Sequence, residues 1–199
     1  NSTLMTGRPR KFDSDEVLEA AMQCFWSKGY ESTSLTDLVE ATGLLKGSLY
    51  HAFGDKHSLF KQSLERYLAN MRGAVRSKLA ESERPVDGVC NALHCVIDIA
   101  DADSRQPKGC MAINSLIERV PIDAEVRSIM LEHRRQVQKM FVDKLKAASA
   151  AGDVTQAREP EQTFSLLMTF VAGLAATMKG PTTKKEAHRL LDEQMAAVL

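Results

Sequence analysis

The chain has 199 residues, with 26 Lys and Arg against 26 Asp and Glu. That balance excludes a protein that coats nucleic acid through bulk charge, but it leaves room for a local basic patch. Hydrophobic residues make up 44%, and there are only 11 Gly and 6 Pro, so the chain can build a core and wholesale disorder is not expected.

No apolar run is long enough to span a bilayer. The longest, Phe164 to Met178, is interrupted by Thr169, Gly173 and Thr177. No secretory signal pattern opens the sequence, and Met5 reads as its natural start. Cys24, Cys90, Cys95 and Cys110 lack paired spacing, so they read as reduced thiols of a cytoplasmic protein.

The basic segment Gly7-Arg8-Pro9-Arg10-Lys11 has two readings. It is either a solvated terminus or an arm that lies on phosphates or in the minor groove. A first helix then opens at Asp13, the expected N-cap, with Glu16 three residues on. Phe12 and Val17 occupy the two positions of a hydrophobic staple. Val17, Leu18, Ala21, Met22, Phe25 and Trp26 follow helical periodicity, and Gly29 ends the helix. Cys24 and Trp26 read as core.

A second helix is predicted from about Leu35 to Ala41, capped by the Ser34 and Asp37 pair. Gly43 supplies a tight turn. A third helix follows with Lys46, Gly47, Ser48, Leu49, Tyr50 and His51, ending near Phe53. Leu49 and Phe53 share one face and anchor it. Lys46, Ser48, Tyr50 and His51 are left to face outward. Asp55 caps a fourth helix whose apolar stripe runs from Phe60 to Leu79, long enough to join a small head to a larger body.

Beyond Pro85 the pattern stays helical, with segments predicted at about 86–102, 110–118, 123–150, 160–179 and 184–198. No strand alternation and no repeat period are present. The predicted fold class is all-α. An N-terminal three-helix helix-turn-helix head, residues 7–56, is joined by a long helix to a C-terminal helical body, residues 57–199.

The head resembles the TetR family of bacterial transcription regulators. The resemblance rests on Ala20-Ala21, Phe25, Gly29-Tyr30, Thr33-Ser34-Leu35, Leu38, Ala41-Thr42-Gly43, Lys46-Gly47-Ser48-Leu49-Tyr50, Phe53, Lys56 and Leu59. It covers about a quarter of the chain. It implies a homodimer whose head binds double-stranded operator DNA. It also implies a body that binds a small-molecule effector and dimerises through its last two helices. Repression, with release on effector binding, is the usual behaviour in such a family. One departure stands out. The family usually has Ser or Thr at the position of Leu45, where a hydroxyl would cap the recognition helix.

The candidate DNA-binding residues are Arg8, Arg10, Lys11, Thr33, Ser34, Lys46, Gly47, Ser48, Tyr50, His51 and Lys56. Short side chains at Gly47 and Ser48 let the helix approach a groove closely. Lys46 can meet guanine or a phosphate. Thr33, Ser34 and Lys56 lie at helix N-termini, which favour anions. The resemblance singles out Tyr50 and Lys56 as phosphate contacts.

In the body, Cys110 follows Lys108 and opens a helix. Both features favour thiolate, making Cys110 an effector or redox candidate; otherwise it is a buried small residue. Cys90 and His94 are spaced to share a metal, but no second ligand pair is evident, so no metal and no cofactor are expected. Leu167, Phe170, Val171, Gly173 and Leu174 belong to a helix that is apolar nearly all round. It is read as a dimer interface, with a central core helix as the alternative. Catalytic groups do not converge anywhere, so an all-helical enzyme is the lesser reading, as is an interaction module that does not bind DNA.

Overall fold

The computed structural model describes residues 12–100, 108–154 and 158–199. Among these are nine α-helices and no strand. They are α1 (Ser14–Lys28), α2 (Leu35–Thr42), α3 (Lys46–Phe53), α4 (Lys56–Ala80), α5 (Pro85–Ala100), α6 (Met111–Glu118), α7 (Ala124–Ala150), α8 (Pro160–Thr177) and α9 (Lys184–Val198). The basic segment holding Arg8, Arg10 and Lys11 lies outside the described residues.

Local signals account for most helix ends. Asp13 accepts from the Asp15 N–H at 2.8 Å. Ser34 and Asp37 form a full capping box, and Asp55 accepts from the Ser58 N–H at 2.7 Å. Each bond satisfies a helix-terminal donor that has no partner within the helix. The Asp37 carboxyl is held down to about 2, first by its ion pair with Lys28 and then by hydrogen bonds from Ser34. Gly43 takes the left-handed backbone (φ 67°) that turns α2 into α3, and its N–H closes on the Val39 carbonyl at 2.9 Å. A side chain there would be strained.

α4 is the spine. Leu59, Phe60, Leu64, Tyr67, Leu68, Met71, Val75 and Leu79 are all buried along one stripe. Its first half packs on α1, where Phe25 and Phe60 meet edge to face at 5.2 Å. Arg66 reinforces that contact through Glu19 at 3.0 Å and Asp15 at 2.9 Å. Its second half packs on α5 and α7. One continuous apolar core therefore runs from head to body through a single helix. Trp26 sits in that core as expected, and its indole N–H also donates to the Gly109 carbonyl at 2.7 Å.

α9 is tied to α5 by a polar chain. His94 and His188 approach through Nδ1 at 2.6 Å. Asp192 holds the far nitrogen of His94 at 2.9 Å, and Asp98 holds that of His188 at 3.0 Å. His94 thus spends both nitrogens on these partners and is not paired with Cys90.

α8 requires a correction. Leu167, Val171 and Leu174 are buried within the protomer itself, so they are core rather than interface. Gly173 is exposed and Phe170 half-exposed, and they share the outer face with Leu166, Thr169 and Ala176. An added Cβ at Gly173 would meet nothing within 4 Å.

Candidate nucleic-acid interface

The interface is built on α3. Leu49 and Phe53 are buried and fix the helix to the head core. Lys46, Gly47, Ser48 and His51 are exposed on the opposite side, and Tyr50 is half-buried between the two faces. The Lys46 ammonium lies 5.9 Å from the centroid of the Tyr50 ring. Gly47 is open to its surroundings: a Cβ there would find nothing within 4 Å beyond its chain neighbours and its own helix backbone. A glycine inside a helix costs roughly 0.5–1 kcal/mol relative to alanine, and packing within the chain gives no reason for it. An open approach for another surface does.

Leu45 stands at the N-cap of α3 and makes no side-chain cap bond. It is 77% exposed. With no side-chain cap bond, the first N–H groups of α3 are left as available donors. Such donors suit a phosphate. Leu45→Ser is expected to raise thermal stability by about 1 kcal/mol, the usual worth of a cap. Denaturant melts of the two proteins check this, and an unchanged midpoint would refute it.

The flanking candidates separate. Lys56 begins α4 and sits 4.4 Å from the Tyr30 ring centroid. It is half-exposed beside the α3–α4 turn. Ser34 is exposed, but its hydroxyl serves the capping box. Thr33 corrects the sequence reading. It is fully buried, and its hydroxyl donates to the Gly29 carbonyl at 2.6 Å. It shapes the α1–α2 turn and has no face to offer a phosphate.

The underside of that same turn is clamped from the body, which sequence reasoning missed. Glu118, the last residue of α6, accepts from the backbone N–H of Tyr30 at 3.0 Å and of Glu31 at 2.8 Å. Gly29, with φ 83°, leaves the space this carboxylate needs: an added Cβ would lie 3.2 Å from it. Arg119 bonds Glu31 at 2.5 Å and Asp123 at 3.0 Å, and its guanidinium stands 4.2 Å from the Tyr30 ring centroid. His57 of α4 joins through Asp123 at 2.7 Å. Asp123 is buried, which opposes ionisation, but the Val126 N–H, Arg119 and His57 outweigh this and hold its carboxyl well below the usual range.

Behind the clamp lies a cavity of about 350 Å³ between α4, α5, α6, α7 and α8. Cys110 lines it but is buried. Burial pushes its thiol up, against a weaker opposing pull from the Tyr67 hydroxyl at 3.5 Å. Lys108 does not reach it. That ammonium bonds Gln23 at 3.1 Å and sits 5.5 Å from the Trp26 ring centroid. The ammonium expected to favour a reactive thiolate is engaged elsewhere, burial outweighs the α6 backbone N–H groups of Ile113 and Ala112 that pull the other way, and Cys110 is a wall residue holding its proton.

A three-helix head with a free recognition helix, carried on a spine that enters a hollow helical body, defines a DNA-binding transcriptional regulator of the helix-turn-helix class. The model of the bacterial regulatory proteins of the tetR family matches residues 17–62. The HTH-type transcriptional repressor ComR of Escherichia coli (strain K12) is 31% identical over 148 residues, 74% of this chain and 70% of that one. The HTH-type transcriptional regulator YezE of Bacillus subtilis (strain 168) is 31% identical over 180 residues, covering 86% and 92%. The chain belongs to the TetR family. Among solved structures, a cysteine mutant of the TetR-family regulator CifR, complexed with a 26 bp double-strand operator DNA, superimposes with a TM-score of 0.84 at 27% identity. That match covers 97% of this chain and all of the other.

Proposed function

We propose that the protein is a homodimeric repressor that binds a roughly palindromic operator and leaves it when an effector fills the body cavity. The observation carrying this reading is the position of α6. Its side chains line the cavity, and its last residue, Glu118, holds the turn that carries α2 and α3. We assign residues 7–56 to the DNA-binding head and 57–199 to the effector and dimerisation body. The absence of any helix long and apolar enough to cross a membrane among the described residues agrees with work in the cytoplasm.

In this reading Lys46, Gly47, Ser48, Tyr50 and His51 meet the major groove and its phosphates. Lys56 and the N-terminal arm of Arg8, Arg10 and Lys11 add phosphate contacts. The dimer forms through the outer face of α8, where Phe170 supplies an apolar anchor and Gly173 lets the partner helix come close. Effector binding shifts α6, and the clamp passes the shift to the heads. Useful release needs the effector to favour the released state by a few kcal/mol.

Selection of bound sequences from a random DNA pool tests the core of the reading. Enrichment of a two-half-site palindrome is expected, with half-sites about one helical turn or a multiple of it apart, and with binding that weakens steeply as salt rises. No enrichment would sink it. Phe170→Glu places a charge in the apolar face of α8 and is expected to turn the dimer into monomer by light scattering. A variant that stays dimeric would move the interface elsewhere.

A further inference from the structure

The body cavity is almost wholly apolar, with Met71, Val96, Ile113, Met130, Phe164 and Met168 among its walls. Its polar groups are few, and most are already engaged. Arg127 donates through Nε and Nη2 to the Val120 carbonyl, at 3.1 and 2.8 Å, and through Nη2 to that of Pro121 at 3.1 Å. The Thr169 hydroxyl donates to the Ser165 carbonyl at 2.7 Å. The Cys110 thiol is paired with Tyr67. Arg134 lies at the exposed mouth, where water solvates it.

His133 differs. It comes from the middle of α7 and lines the cavity. Its Nδ1 is 3.2 Å from an Arg72 guanidinium nitrogen. Arginine can only donate, so Nδ1 accepts, and the ring proton sits on Nε2. Burial, with help from the Arg72 charge, pulls the imidazole down to about 4, so the ring is neutral at pH 7. Among the described residues no acceptor pairs with Nε2. With His133 in its lining the cavity has a neutral N–H donor to offer, and the one hydroxyl among the lining residues, Thr169, belongs to an exposed residue.

We infer that the cavity takes an uncharged, apolar molecule of medium length carrying one hydrogen-bond-accepting oxygen, of the ketone, aldehyde or ester class, with that oxygen on His133 Nε2–H. This rests on the reading of the cavity as the effector site. The geometry disfavours the alternatives. A cation would meet Arg127, Arg134 and the donor end of His133. A sugar would bring hydroxyls to walls that cannot satisfy them, and buried polar groups without partners are costly. A carboxylate could pair with Arg127 or Arg134, which also line the cavity, but both side chains are exposed to water, where an ion pair is worth little.

The test uses the full chain and four probes of matched length: a methyl alkyl ketone of about ten carbons, the corresponding alkane, carboxylate and primary amine. Binding is followed by calorimetry on the free protein, and release is followed by anisotropy of labelled operator. The ketone is expected to bind about five- to tenfold tighter than the alkane, the worth of one neutral hydrogen bond, and tighter than carboxylate or amine. In His133→Leu that preference over the alkane should vanish while the alkane still binds. His133→Gln keeps a donor and should retain part of it, and far-ultraviolet circular dichroism confirms that both variants fold. Equal ketone and alkane affinity in the wild type overturns the inference. So does a carboxylate that binds tightest, or a ketone preference that survives in the leucine variant. Tight ketone binding that leaves the operator complex intact overturns the effector reading instead and leaves the ligand class standing.

Discussion

Replacing Tyr50 with Ala is expected to abolish operator binding while leaving a folded dimer. Tyr50 is half-buried on α3, with its ring beside the core and close to the Lys46 ammonium. The two residues that anchor the helix, Leu49 and Phe53, are unchanged. A hydroxyl donating to a phosphate is a hydrogen bond to a charged group, worth about 1.5–3 kcal/mol. A dimer loses it twice, so binding should weaken by roughly two to four orders of magnitude. Tyr50→Phe removes only the hydroxyl and should account for most of that loss. Gel shift gives the affinity, and a thermal melt reports folding. If the alanine variant still shifts the operator normally, the orientation given to α3 is wrong.

Glu118→Ala is expected to uncouple the body from the head. The variant strips two charge-assisted hydrogen bonds from the Tyr30 and Glu31 amides. Coupling energies between sites are typically 1–3 kcal/mol, and the loss here should take most of that. The variant should still bind operator and still bind effector. The weakening of operator binding by saturating effector, up to about a hundredfold in such systems, should fall to a few-fold at most. Glu118→Gln keeps one acceptor oxygen and should be intermediate. The measurement is operator affinity with and without effector. An undiminished ratio in the alanine variant would take the clamp out of the mechanism and leave the spine α4 as the connection.

The clamp shows why some of the interface was legible and some was not. Capping at Ser34 and Asp37, the turn at Gly43 and the outward set on α3 are each encoded within about one or two turns of helix, so the sequence displays them directly. Leu45 was legible too, as a missing hydroxyl at a cap position. Glu118 gives no such signal. Its partners Tyr30 and Glu31 lie 88 and 87 residues away, and a glutamate ending a helix looks like any solvated charge. Thr33 was misplaced for a related reason. Its position before a helix suits a phosphate contact, but only the packed turn turns its hydroxyl onto Gly29. His133 likewise meets Arg72 of α4 from 61 residues away, a pairing no local spacing records.

Periodicity also reaches its limit on α8. A helix that is apolar on nearly every side announces burial without saying by what. Folding assigned Leu167, Val171 and Leu174 to the protomer's own core and left Phe170 and Gly173 outside. The Lys108 and Cys110 pair follows the same logic. Two residues separated in sequence only by Gly109 were drawn apart when Trp26 and Gln23 took the ammonium and α4 covered the thiol.

By itself the sequence determined the helices, their caps, the helix-turn-helix and the family, because these depend on contacts within a turn or two of helix. The tertiary structure alone decided which apolar face is free, which polar groups are spent, where the cavity lies and how α6 reaches the head. Those depend on residues brought together from distant parts of the chain, where no local spacing records the pairing.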